Sequence, residues 1–236
     1  MNNEAEKQIQ AIIEAYEYLV RGIDGRAVGE KERAYGGIIR AGKGQLVESL
    51  TQNLIIIAWE ATGGSEERLS FAHKAFKFPI KNEYIHKIKQ PQVKKFILEH
   101  IDDYYYRFKP DIQVCVDGCL VMGVECKAYT ENAMFKRILV DFTLLKTTYP
   151  NLDCVLLELE SQLGGDYSEL KDITYGSPST HTLLSYFDIQ LNIITLLEGE
   201  RKVDKPIHKP EFYKPLKKES LERAVLVFKQ LLEKYK

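Results

Sequence analysis

Apolar residues recur every three to four positions from residue 3 to residue 21, where Ile9, Ile12, Ile13, Tyr16, Leu19 and Val20 share one stripe of an amphipathic helix. That helix serves core packing or a subunit contact. Over residues 23–43, GIDGRAVGEKERAYGGIIRAG, the period weakens and glycine and arginine accumulate, which predicts a loop or arm. The helical period returns at Gly44 with Leu46, Val47, Leu50, Leu54, Ile57 and Ala58. Two apolar stretches then flank the turn signal Asp117-Gly118, and the second places Leu120, Met122, Val124, Cys126 and Ala128 on one strand face. Met134, Ile138, Phe142 and Leu145 return to helical spacing, behind a Thr130 cap whose box is incomplete because Ala133 stands where Glu would help most. Asp153 to Glu160, DCVLLELE, reads as a buried strand. A long loop region over 161–181 follows, with Gly164, Gly165, Gly176 and Pro178. Two amphipathic helices are predicted over 180–198 and 218–235, the latter with Leu221, Ala224, Val225, Phe228, Leu231 and Leu232 on one side. They form a dimer interface or pack within the chain.

Helix, hairpin, helix, strand is the order of an α/β (α+β) core, a central mixed sheet flanked by helices, with additional helices at both ends. At 236 residues and 27.2 kDa, with 44% hydrophobic residues, the chain is long enough to bury that core as a single domain. Its parts are the N-terminal helix and arm (1–43), the core (44–160), and loops with C-terminal helices (161–236). Cys115, Cys119, Cys126 and Cys154 fall in strands without the paired spacing of a zinc site, so they are expected to be reduced. No signal peptide and no bilayer-spanning run is visible, so a soluble cytoplasmic protein without membrane partners is expected.

The hairpin carries the chemistry. Asp111 opens its first strand, and Glu125 and Lys127 end the second on the face opposite the apolar row, because strand residues two apart point the same way. Two carboxylates suit a hard cation such as Mg²⁺, and a lysine beside them can hold a water or counter charge growing on a phosphate. Register decides whether Asp111 joins them. A two-residue turn pairs Val116 with Cys119 and sets Asp111 opposite Val124, on the wrong face. A three-residue loop of Val116, Asp117 and Gly118, or an equivalent bulge, pairs Cys115 with Cys119 and brings Asp111 opposite Gly123, on the face of Glu125. The loop or bulge is therefore predicted. Diagonal neighbours on one face lie roughly 7–8 Å apart, close enough to share an ion.

Pro110-Asp111 followed by Glu125-Cys126-Lys127 resembles the signature of the PD-(D/E)xK nuclease superfamily. Glu169-Leu170-Lys171 and Glu200-Arg201-Lys202 repeat the Glu-x-Lys spacing, but neither ends an apolar strand or follows a Pro-Asp. A stand-alone chain of this size with accessory helices looks most like a type II restriction endonuclease. The resemblance implies Mg²⁺-dependent, sequence-specific cleavage of double-stranded DNA that leaves 5′-phosphates and 3′-hydroxyls, by a homodimer acting on a palindrome. No other stable protein partner is implied. Asp111 and Glu125 would bind the metal and Lys127 would orient the water. Glu48 is either a third acid of the site or a carboxylate favoured near a helix N-terminus. Candidate DNA contacts are Arg33, Arg40 and Lys43 in or beside the arm, with Arg26 also worth testing, then Asn132, Lys136 and Arg137 after the catalytic strand, and Ser161 and Gln162 after the last core strand. For the helical ones the competing reading is a solvated face, and for the arm a mobile linker. Two rival functions share the motif, a structure-specific repair or junction-resolving nuclease and a catalytically idle DNA-binding module. The formal net charge of −1 does not exclude DNA, since affinity follows local phosphate contacts. Charge is uneven, with lysines crowded among aromatics from Lys74 to Lys95 and a second basic stretch from Arg201 to Lys218.

Overall fold

The computed structural model describes residues 3–27, 32–165, 167 and 175–236, and for 23–40 the backbone alone. Helices α1 (Asn3–Ala27) and α2 (Glu32–Thr62) come first, then β1 (Leu69–Ala72). A small excursion follows, with β2 (Phe76–Pro79), α3 (Asn82–Lys87), α4 (Pro91–Glu99) and β3 (Tyr105–Phe108). The chain then forms β4 (Ile112–Val116), β5 (Cys119–Glu131), α5 (Asn132–Thr148), β6 (Asp153–Gln162), α6 (Pro178–Ser185), β7 (Leu191–Thr195) and α7 (Lys218–Leu232). The excursion His73–Pro110 is one compact unit, and the chain up to Ala72 together with the chain from Asp111 is another.

The larger unit is built on a five-stranded mixed sheet in the order β1-β4-β5-β6-β7, antiparallel from β1 to β5 and parallel from β5 to β7. Parallel neighbours need a long crossover, and α5 supplies it between β5 and β6. One sheet face, with Ile112, Val114, Met122, Val124, Cys126, Val155 and Leu157, joins a single apolar core with α1, α2 and α7. Helix α2 is enclosed by these neighbours, so Leu46, Val47, Leu50, Leu54, Ile55, Ile57, Ala58 and Trp59 are all buried. On the opposite face Gly123 lies against Phe142 and Leu145 of α5 and against Leu152.

Three elements differ from the expectations set by the sequence. Where a loop or arm was expected over 23–43, the backbone is helical to Ala27 and again from Glu32. Extending an existing helix costs far less than nucleating one, so the packed 46–59 segment carries the helix back through its glycines. The side chains of Arg26, Arg33 and Arg40 lie outside the described residues. The helix expected over 180–198 is instead the short α6 and the strand β7, because Leu191-Asn-Ile-Ile-Thr is a branched run that pairs in parallel with Cys154 to Glu158. Strand β5 runs on through Glu131, so Thr130 is a strand residue and α5 starts at Asn132 with Glu131 at its N-cap.

A buried carboxyl sits where β6 meets β7. Glu158 is fully buried, and Thr195 Oγ1 donates to its Oε1 at 3.0 Å. Burial pushes its pKa up to about 8, with neighbouring hydroxyls opposing the shift. Between its ordinary 4.5 and about 8 the folded chain holds a proton that the unfolded chain has released. The contribution of Glu158 to stability is therefore fully present below about 4.5, falls by up to about 1.4 kcal/mol per pH unit above it, and levels off past about 8. Thermal melts of Glu158→Gln should show a shallower decline over this window. An unchanged slope would mean that Glu158 is ionised in the fold.

Candidate active site

The hairpin turn is the two-residue Asp117-Gly118, with φ of 51° and 76° at its two positions, and it pairs Val116 with Cys119. Arg68 fixes the tip by bonding both carboxylate oxygens of Asp117, Nε to Oδ1 at 2.9 Å and Nη2 to Oδ2 at 2.8 Å. The predicted three-residue loop is therefore absent, and the alternative bulge is present. Cys115 pairs with Leu120 but Val114 pairs with Met122, leaving Val121 as the extra residue. Beyond it Gln113 faces Gly123 and Ile112 faces Val124, so Asp111 comes opposite Glu125 rather than Gly123. The one-residue shift puts both carboxylates on one face.

The three predicted residues meet. Lys127 Nζ donates to Asp111 Oδ2 at 2.7 Å and to Glu125 Oε2 at 2.6 Å, and the Cys126 amide donates to Asp111 Oδ2 at 2.7 Å. Glu125 is the most enclosed, with 8% of its side chain exposed against 27% for Asp111 and 28% for Lys127. Burial pushes the Glu125 carboxyl up to about 7; Lys127 opposes the shift, and the charges of Asp111 and Asp141 add to it. Burial alone would lower Lys127, but the Glu125 and Asp111 carboxylates outweigh it and hold the ammonium above its ordinary range.

Asp141 does not stand out in the sequence. It is buried on α5 one turn after Arg137, whose Nε lies 3.5 Å from its Oδ2, and its charge acts on Glu125. The available signal was an acid inside an otherwise apolar helix stripe between Ile138 and Phe142. Glu48 is exposed on α2, and its charge reaches Cys126, the residue between Glu125 and Lys127.

The remaining candidates spread over several elements. Lys43 is half-buried; burial lowers its pKa, with Glu160 opposing and Arg201 adding. Asn132 Oδ1 accepts from Thr180 Oγ1 at 3.2 Å, while Lys136 and Arg137 are exposed on α5. Ser161 is fully buried and accepts from the Leu163 amide at 3.3 Å. Gln162 Oε1 accepts from Arg201, whose guanidinium stacks 3.7 Å above the Tyr129 ring. Among the described residues all four cysteines are free, with Cys119 alone exposed, and no helix is long and apolar enough to cross a membrane.

No family model matches the chain. It is 52% identical over 202 residues to the type II restriction enzyme DdeI of Desulfomicrobium norvegicum, an alignment that takes in 85% of this chain and 84% of DdeI. The chain belongs to the type II restriction enzymes. It is a site-specific deoxyribonuclease of that group. A solved structure described as the native BbvCI A2B2 tetramer at low resolution aligns over 98% of this restriction enzyme and 89% of its own chain, at 12% identity and a TM-score of 0.39.

Proposed function

We propose that this restriction enzyme hydrolyses both strands of a specific DNA sequence with Mg²⁺ held by Asp111 and Glu125, leaving 5′-phosphates and 3′-hydroxyls. The observation that carries the site assignment is the convergence of both carboxylates on one ammonium, within 2.7 Å, at the bulged end of the hairpin. The donor set fits a small hard cation. It offers carboxylate oxygens only, and a carboxyl lifted toward neutrality by burial gains its charge most readily beside a cation. Mg²⁺ bound there supplies charge neutralisation at the phosphate and acidifies a water for in-line attack.

The chain's own residues do the rest. Lys127 stays protonated between two acids, so it acts as a hydrogen-bond donor that orients the attacking water and counters charge on the phosphate oxygens, not as a neutral base. The Cys126 amide holds the Asp111 carboxylate in line with the strand. Burial, with the charges of Asp111 and Asp141 adding to it, holds the Glu125 carboxyl above its ordinary range, and Glu48 is an auxiliary acid at the edge of the site. Lys43, Asn132, Lys136 and Arg137 belong to the DNA-facing set, with Arg33 and Arg40 on α2, and Ser161 and Gln162 stand at the exit of β6. The enzyme acts as a homodimer, since a two-fold protein presents the same residues to both halves of a palindrome.

Mg²⁺ binding to catalytically silent protein separates these roles. In isothermal titration with MgCl₂, Glu125→Gln should weaken binding at least about tenfold and Lys127→Met should not, because removing a carboxylate removes a ligand and removing the ammonium removes a competing cation. Equal binding by Glu125→Gln and the parent would remove Glu125 from the metal site.

A further inference from the structure

We propose that the unit His73–Pro110 grips the phosphate backbone of duplex DNA without reading its sequence. The inference rests on the DNA-endonuclease reading and adds the surface that holds the substrate. This unit contains nine lysines and arginines against four acids, a net +5, in a chain whose total is −1, so all other residues together carry −6. The larger unit, with the acidic catalytic face, is thus the wrong sign to attract a polyanion from a distance. The small unit is the right one.

Its surface chemistry points the same way. Only Phe76, Ile85, Ile97 and Phe108 form its buried apolar set, while Tyr84, Phe96, Tyr105 and Tyr106 are exposed at 37–59%. Lysines interleave with these rings, and Lys77 Nζ sits 4.2 Å above the Tyr105 ring. Compact ammonium groups on long stems suit the phosphate strands, and amphipathic rings suit the sugar edges between them. Lys81, Lys87 and Lys89 are all exposed and bracket the short helix α3, so three cations crowd within nine residues. The unit leaves the sheet after β1 and returns at Pro110, the residue before Asp111.

The test uses the full chain in EDTA, with fluorescence anisotropy of a labelled duplex of arbitrary sequence over a range of NaCl concentrations. Each lost phosphate contact should flatten the slope of log affinity against log salt by about 0.9, so K81Q/K87Q/K89Q should flatten it by about 2–3 and bind at least about tenfold more weakly at low salt. A control, K7Q/K202Q/K205Q, removes three exposed lysines from the larger unit and should bind like the parent. With Mg²⁺ and duplex bearing the recognition site at a concentration below its Kd, the α3 variant should cut more slowly in proportion to its weaker binding, while K7Q/K202Q/K205Q cuts at the parental rate. Equal losses in both variants, or none in the α3 variant, would overturn the assignment. So would an unchanged slope accompanied by loss of self-association in sedimentation, which would make the unit a contact between copies. A parent enzyme that binds no duplex at low salt would instead overturn the endonuclease reading itself.

Discussion

Replacing Lys127 by alanine should reduce DNA cleavage at least about 10³-fold, and Asp111→Ala should do the same, with Kd for duplex DNA changed less than about tenfold. The size follows from what each side chain does. Lys127 donates to both carboxylates at 2.6–2.7 Å and is the only cation bonded to them among the described residues. Removing one preorganised group that stabilises developing charge costs roughly 10²–10³ in rate, and here the same change also sets two acids against each other without their counter-charge. Asp111→Ala removes one of the two carboxylates assigned to the metal and frees the Cys126 amide it anchors. Lys127→Arg is a sharper probe, because a guanidinium keeps the charge and cannot place a compact ammonium between two carboxylates. It should remain at least about a hundredfold impaired. Cleavage by Lys127→Ala within tenfold of the parent, measured in single-turnover reactions, would remove Lys127 from the chemistry.

Phe142→Ala should destabilise the fold by about 3–5 kcal/mol, the largest effect on stability expected from a single residue near the site. The ring is fully buried on α5, and it packs where β5 has no side chain, since a Cβ added at Gly123 would lie 3.1 Å from its Cε1. In a chain of 236 residues that loss corresponds to about 10 °C in melting temperature. Gly123→Ala presses on the same ring and should cost about 1–3 kcal/mol alone and much less in the Phe142→Ala background. Gly123 stands two residues before Glu125, so the pressure should also lower cleavage. Additive losses in the double variant, read from urea unfolding, would show that the two positions do not share the space assigned to them.

How much of this was legible in the sequence follows from how local each determinant is. Alternation along β5 depends only on neighbouring residues, so the sequence alone separates Glu125 and Lys127 from the apolar row. The requirement that Asp111 share their face was equally legible, because a register error flips every side chain. Where the extra residue would go was not. A type I′ turn at Asp117-Gly118 and a bulge at Val121 achieve the same parity as a longer loop, and the choice depends on tertiary anchors such as Arg68. Strand β7 was hidden for a related reason. This half-buried parallel edge strand shows no alternation, so Leu191 to Thr195 resembles one side of a helix until β6 is beside it. The helical backbone of 32–43 escaped because weak periodicity argues only against an isolated helix. Asp141 escaped because a single acid in a helix stripe becomes significant only when α5 packs over Glu125. The small basic unit showed in the lysine count, but its compactness depends on contacts among β2, β3, α3 and α4 that no short window contains.

The central claim is tested most directly by incubating the purified enzyme with unmethylated phage DNA, in MgCl₂ or in EDTA, beside its Lys127→Ala variant, and resolving the products on a gel. Discrete fragments with ligatable 5′-phosphates, formed only by the parent enzyme and only in MgCl₂, are the predicted result. A sequence-independent smear, cutting in EDTA, or the same fragments from Lys127→Ala would contradict it.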